Sequence, residues 1–214
     1  MSDDRRRFQS AHFLLLAPPV AVVPALMREL ESAYRGVRGR GLDLPSRIAV
    51  ESYTSSAEFR RRSGLGGAYL ASTIGERIHL QPPHILLRSP ALSRTLAHEL
   101  VHVSLARATR HGLPRWIAEG LAMRVAGESY PDTASIGDLA ALDRCLGGSA
   151  SHRALRGCYG LSRRLVDALV AEVGERKLIA LVERVSSGNS FAALFLQMAG
   201  RTTEEWGRIH LRRK

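Results

Sequence analysis

Two histidines and a glutamate in the middle of the chain are the residues best suited to chemistry. His98, Glu99 and His102 form an HExxH sequence. On a helix, residues four apart lie on the same face, so both imidazoles can bind one metal ion. The carboxylate of Glu99 stands beside them, where it can take a proton from a water molecule activated by that ion. The spacing therefore predicts a catalytic zinc site.

The helix that must position these residues has clear sequence signals. Ser89 can cap its first amides, and Pro90 suits the first helical position, where no amide donor is needed. From there to about Ala108 the sequence has no further proline and no glycine. Apolar residues cover most of the circumference, which predicts a buried helix in which the motif's polar groups bind a metal or, alternatively, bond within the core. These apolar residues are Leu92, Leu96, Leu100, Val101, Val103 and Leu105.

A catalytic zinc site needs a third protein ligand, and helix geometry favours Glu119. The first helix is predicted to end near residues 110–112, and Pro114 then opens a second helix. The chain rises about 12 Å from His102 to the turn and about 7.5 Å from Pro114 to Glu119. An antiparallel second helix therefore returns Glu119 close to the level of the histidines.

Four other residues remain alternatives for the third ligand. The metzincin pattern, a glycine and then a histidine shortly after the second motif histidine, is absent. His111 lies near the predicted turn, at the far end of the helix. Asp132 or Asp143 would serve an aspzincin-like site, and His152 is too remote in sequence to place.

The two motifs together resemble the gluzincin metallopeptidases. HELVH is followed, after sixteen intervening residues, by Glu119 within LPRWIAEGLA. More narrowly, the pattern is similar to the bacterial peptidase MA-like domains, small relatives of the thermolysin and aminopeptidase N catalytic domains. The resemblance implies zinc bound by His98, His102 and Glu119, with Glu99 as the general base. It extends loosely over Phe13–Trp206, but only the central thirty or so residues are diagnostic.

The resemblance also implies a donor that stabilises the oxyanion of the tetrahedral intermediate. Gluzincins supply it from a tyrosine or a histidine downstream of the zinc helices. Tyr159 stands where the relatives have a tyrosine, at the start of a predicted helix. Tyr130 and His152 are alternatives, and Tyr159 could instead only pack that helix start.

The flanking sequence predicts an α+β fold of the zincin type. A small mixed or antiparallel sheet precedes the active-site helix, and a helical C-terminal half follows it. The strands are predicted at His12–Leu16, Arg47–Tyr53, Ala68–Ser72 and Glu76–Leu80, and the other helices at Pro24–Val37, Ser55–Arg62, Ser135–Leu146, Tyr159–Val173, Glu175–Val185, Ser190–Met198 and from Thr202 onward. We interpret residues 1–214 as one peptidase MA-like domain, with a sheet-bearing lobe over about 12–112 and a helical lobe over about 113–212.

One predicted strand has an expected role in substrate binding. In the related peptidases, an extended peptide pairs with the edge strand that precedes the active helix, which is β-augmentation. Glu76–Leu80 is the candidate for that edge, with residues 68–70 as its hairpin partner or substitute. The glycine-rich residues 64–67 form a turn and lack the ending of a phosphate-binding loop.

The net charge of +11 is carried by 29 arginines and two lysines that are scattered along the chain. An arginine-rich composition explains this charge more simply than nucleic-acid binding does. Cys145 and Cys158 form no metal or redox motif. Two states fit the sequence equally well: a disulfide, as in an exported protein, or two buried thiols, as in a cytosolic one.

Membrane and export signals are weak in this sequence. There is no apolar run long enough for a transmembrane helix. Arg5–Arg7 followed by Phe13–Leu16 faintly resembles a signal peptide, but prolines interrupt the apolar stretch and a strand is the better interpretation. Localisation is expected to be cytoplasmic by default, and periplasmic or secreted if a leader has been removed. The oligomeric state stays open.

These observations predict a zinc-dependent peptidase that acts on peptide or protein substrates. An endopeptidase is favoured, because no amine-binding glutamate motif typical of the aminopeptidases precedes the zinc helix. One alternative is a zinc-bound binding or scaffold module without catalysis. A less favoured one is a basic nucleic-acid-associated protein with a structural zinc.

Overall fold

The computed structural model describes residues 4–64, 69–149 and 151–211. The chain divides into two compact units, residues 1–104 and 105–214. The two lobes expected from the sequence, which divide near residue 112, stay a prediction. The elements are β1 (Arg6–Gln9), β2 (Phe13–Ala17), α1 (Val23–Gly39), β3 (Ile48–Ser52), α2 (Ser56–Ser63), β4 (Ala71–Ile74), β5 (Arg77–Leu80), α3 (Pro83–Leu86), α4 (Leu92–Arg110), α5 (Arg115–Ala126), α6 (Leu139–Arg144), a π-helical turn (Cys145–Ser149), α7 (His152–Val173), α8 (Glu175–Ser186), α9 (Phe191–Ala199) and α10 (Thr203–His210).

A five-stranded mixed sheet organises the first unit, and its strand order is β1-β2-β3-β5-β4. The central pairs β2–β3 and β3–β5 are parallel, whereas both edge pairs are antiparallel. The sheet followed by the helices of the second unit confirms the predicted α+β class. Phe13, Leu15, Ile48, Val50 and Ile78 are almost fully buried and form the core of the sheet.

The order of the strands corrects the predicted substrate edge. Strand β5 pairs with β3 on one side and with β4 on the other, so Glu76–Leu80 is not an edge strand. The edge is β4, joined to β5 by a turn at Gly75, whose φ is +63°. Ala68 and the predicted glycine turn at residues 65–67 lie outside the described part of the chain.

The opposite edge strand, β1, was not predicted. Arg6 and Arg7 are exposed on it, and the strand pairs antiparallel with β2. An edge strand buries little apolar surface, so it can carry charged residues in place of alternating apolar and polar ones. The sequence pattern that predicts a strand is therefore missing at β1.

The second unit is built around the packing of α5 on α7. Gly120 allows this close approach, since a Cβ there would lie 2.4 Å from the main-chain oxygen of Ser162. Trp116 on α5 stacks on Trp206 of α10 with ring centroids 5.6 Å apart, and both rings are buried. The C-terminal helix therefore supports the helix that carries Glu119.

Several helix boundaries differ from the predicted ones. Helix α4 begins at Leu92, two residues after the predicted start, although Ser89 Oγ accepts the amide of Ala91 as a capping group would. Helix α7 begins at His152 instead of Tyr159, because Ser151 caps it by accepting the amide of Ala154.

Cys145 and Cys158 form a disulfide. It links the π-helical turn to α7, where Cys158 is buried. A bridge closing a loop of this length stabilises a folded chain by about 3 kcal/mol. The sequence allowed either a disulfide or two buried thiols, and the structure contains the disulfide.

Within the described residues, no helix combines the length and the apolar character that crossing a bilayer requires.

Candidate metal centre

Helix α4 holds the HExxH residues in a largely buried setting. Leu96, Leu100, Val101 and Leu105 are fully buried. The predicted apolar circumference of the helix is therefore present. His98 and His102 are half-buried, so their rings combine an apolar environment with some access to solvent.

The two imidazoles of the motif face each other. The Nε2 atoms of His98 and His102 are 3.0 Å apart, and the ring centroids are 4.8 Å apart at an interplanar angle of 60°. Two nitrogens bound to one tetrahedral zinc ion are about 3.3 Å apart. The observed separation is within a few tenths of an ångström of that value, so the pair fits a shared metal ion.

A glycine turn reverses the chain after α4. Gly112 has φ +90°, and the amide of Leu113 donates to the carbonyl of Ala108 at 2.9 Å. This six-to-one bond around a left-handed glycine is the Schellman ending of a helix. Helix α5 begins at Arg115, so Pro114 occupies the N-cap position. The sequence had predicted it at the first helical position.

The start of α5 is capped from a distant part of the chain. Pro114 has no side-chain oxygen, and the carboxylate of Asp143, at the end of α6, accepts the amide of Trp116 at 2.8 Å. Burial raises the pKa of Asp143, although the amides of Trp116 and Arg115 oppose the rise by donating to it. The cap fixes the first turn of the helix that bears Glu119.

Glu119 joins the two histidines. One nitrogen each of His98 and His102 and one carboxylate oxygen of Glu119 all lie within 4.8 Å of one another. Two imidazoles and one carboxylate are the ligand set of catalytic zinc sites that keep a fourth position open. In the described part of the chain, no other group of three histidine, cysteine or acidic residues meets this distance criterion.

The alternative third ligands are placed elsewhere. His111 is exposed in the turn after α4. The carboxylate of Asp132 is bound to Arg164 at 2.6 Å, and that of Asp143 caps α5. The side chain of His152 lies outside the described part of the structure. Of the candidates that the structure describes, Glu119 is the one that it brings to the histidines.

Glu99 points away from solvent and is 8% exposed. The hydroxyl of Thr73, on the edge strand β4, lies 2.7 Å from Glu99 Oε2 and 3.1 Å from the Glu99 main-chain oxygen. This residue was not predicted from the sequence. Thr73 carries no motif and lies 26 residues from Glu99, so only the sheet order brings the two together.

Tyr159 is half-buried on α7, three residues before Ser162, and therefore on the same side of the helix as the contact with Gly120. Its ring lies beside that of Tyr130, with centroids 6.1 Å apart. Arg156 stacks over Tyr130 at 4.9 Å. The two tyrosines named as oxyanion donors are thus neighbours, and the role of Tyr159 stays a prediction.

A family model described as the eCIS core domain matches residues 53–110. This is a domain of extracellular contractile injection systems. The match includes β4, β5 and the HExxH residues but ends before Glu119. It covers about a quarter of the chain, so the chain is similar to that domain over this segment alone. No curated protein matches the chain, and no solved structure does.

Proposed function

We propose that this protein is a zinc-dependent peptidase of the gluzincin type. The supporting observation is the approach of the His98, His102 and Glu119 ligand atoms to within 4.8 Å of one another. The adjacent glutamate, Glu99, is buried and hydrogen-bonded. A metal site with only a structural role would not need this additional carboxylate beside its ligands.

The residues have distinct roles in the proposed reaction. His98 and His102 would bind zinc through Nε2, and Glu119 through one carboxylate oxygen. Zinc held there would lower the pKa of water and polarise a carbonyl group. Glu99 accepts a proton from the water that attacks the peptide carbonyl and then donates it to the leaving amine. Tyr159 is proposed to donate a hydrogen bond from its hydroxyl to the developing oxyanion.

The open edge of the sheet at β4 is an observation in favour of a peptide substrate. In the described part of the chain, no strand pairs with the outer side of β4. An extended peptide could add there as a further strand, held by main-chain hydrogen bonds. Such binding uses the middle of a peptide and does not require a free amino terminus, which favours endopeptidase activity.

The similarity to the eCIS core domain favours a second candidate function. In that case the chain would act within an extracellular contractile injection system as a zinc-bound module that does not cleave. The two candidates differ in whether Glu99 is required for a chemical step.

The test combines metal analysis with cleavage of an unbiased peptide library. We expect about one zinc per chain and cleavage within peptide sequences. Glu99→Gln keeps size and polarity but cannot take up the proton. It should retain zinc and lose at least about 10²–10⁴-fold in kcat/KM. Stoichiometric zinc without cleavage of any library peptide by the wild type would favour the non-cleaving module.

A further inference from the structure

Thr73 contacts the proposed general base from a strand that carries no metal ligand. It lies on the same face of β4 as Ala71, opposite Ile78 of β5. Its side chain is half-buried, whereas Ile78 and Glu99 are buried. The hydroxyl therefore meets Glu99 where few water molecules compete for the carboxylate.

The short contact identifies the main acceptor. A threonine hydroxyl has one proton, and it lies 2.7 Å from Glu99 Oε2 but 3.1 Å from the Glu99 main-chain oxygen. Hydrogen bonds to a charged carboxylate are shorter and stronger than those to a neutral carbonyl. The bond to Oε2 is thus the principal one, and Oε1 remains to accept another proton.

A hydroxyl is a suitable partner for a group that gains and loses a proton. It donates to Oε2 of the carboxylate and can keep donating to Oε2 when Oε1 carries the proton. The positive charge of an arginine or lysine would instead favour the ionised carboxylate. The Thr73 hydroxyl can stay bonded to Glu99 through both halves of the proposed proton transfer.

We propose that Thr73 is a positioning residue for Glu99. By holding Oε2, it fixes the rotation of the carboxylate and directs Oε1 to the proton of the attacking water. This inference rests on the proposed function for its catalytic consequence. Its structural part, the fixed orientation of the carboxylate, can be tested separately.

The test compares Thr73→Val, which keeps the shape but lacks the hydroxyl, with Thr73→Ser, which keeps the hydroxyl. Displacement of a catalytic group by about 1 Å costs up to about 10²-fold in rate. We expect Thr73→Val to lower kcat by about 10- to 100-fold, with zinc content and KM unchanged. Thr73→Ser should recover most of the loss.

Thr109→Val is the matched control. Thr109 lies on α4 and donates its hydroxyl to the carbonyl of Leu105 at 3.0 Å, away from Glu99. It should leave kcat unchanged. In the Glu99→Gln background, Thr73→Val should cause little further loss, because both changes act on one group. Wild-type kcat in Thr73→Val, or equal losses in the valine and serine variants, would overturn the proposal.

Crystal structures of the wild type and of Thr73→Val provide a readout that does not depend on activity. The Glu99 carboxylate should be ordered in the wild type and rotated or disordered in the variant. An unmoved carboxylate overturns the positioning role even if the wild type cleaves peptides. If the wild type cleaves nothing but the carboxylate moves, the positioning role stands and the proposed peptidase function fails.

Discussion

At the scale of single residues, the candidate centre depends on groups that are individually common. The Nε2 atoms of His98 and His102 are 3.0 Å apart because the motif places them one helical turn apart on α4. Glu119 adds the negative charge that two neutral imidazoles lack. We therefore expect the carboxylate to contribute to metal affinity and not only to its geometry.

Removing the ligands tests this view. His98→Ala should lose most of the bound zinc, and Glu119→Ala should weaken zinc binding substantially. His111→Ala is the control, because His111 is exposed in the turn and should leave zinc content unchanged. Metal content after dialysis against a weak chelator measures all three variants. Stoichiometric zinc retained by Glu119→Ala would contradict the gluzincin assignment.

The neighbouring tyrosines can be distinguished by removing one hydroxyl at a time. Tyr159→Phe should lower kcat by about 10²- to 10³-fold, the usual cost of losing an oxyanion donor, and leave zinc binding intact. Tyr130→Phe should have a small effect. Steady-state kinetics on a library-derived peptide provide the measurement. The opposite ranking would assign the role to Tyr130.

At the scale of elements, the position of Glu119 depends on how α5 is held. Asp143 caps its start, Trp116 stacks on Trp206, and Gly120 touches α7. None of these contacts involves a metal ligand. They fix the helix along its axis and against its neighbours, so the glutamate is presented by a rigid support.

A methyl group at Gly120 would disturb this support. The added Cβ would lie 2.4 Å from the main-chain oxygen of Ser162, which cannot move as a flexible side chain can. We expect Gly120→Ala to cost about 1–3 kcal/mol and to weaken zinc binding by shifting Glu119. Gly36→Ala is the control, since that glycine lies in α1 and its Cβ would meet no atom within 4 Å. It should be neutral or slightly stabilising in urea unfolding.

At the scale of the whole molecule, features that depend on residues close together in the sequence were predicted correctly. Features that depend on contacts between distant segments were not. The HExxH helix, the turn at Gly112 and the return of Glu119 follow from helix geometry over a short stretch of chain. Three features could not be predicted because they depend on pairing between remote segments. These are the pairing of β5 with β3, the contact of Thr73 with Glu99 and the capping of α5 by Asp143.

The stability of the molecule should depend on pH through a buried pair in the sheet unit. The Tyr53 hydroxyl lies 2.6 Å from His79 Nδ1. Burial lowers the pKa of His79 below 6.5, with a further contribution from nearby arginines and an opposing one from Glu51. Burial also raises the pKa of Tyr53 to about 12, so the phenol keeps its proton.

A folded pKa below the unfolded one fixes the direction of the effect. The stability gained from neutral His79 is complete above about pH 6.5 and is lost as pH falls through the folded pKa. His79→Gln should remove this part of the pH dependence. Urea unfolding of both proteins between pH 7.5 and 5, with a chelator present, measures the difference. Parallel curves for the two proteins would exclude His79 as the cause.

The two edges of the sheet also differ in how they meet other copies of the chain. Open strand edges are templates on which proteins join into fibrils. At β1, the exposed Arg6 and Arg7 of one copy would face the arginines of another, and their repulsion opposes edge-to-edge growth. Strand β4 has no charged residue, but it is only four residues long. Strand β1 is equally short, so length opposes edge-to-edge growth at both edges and charge adds to this at β1. The uncharged β4 can still pair with a single peptide strand.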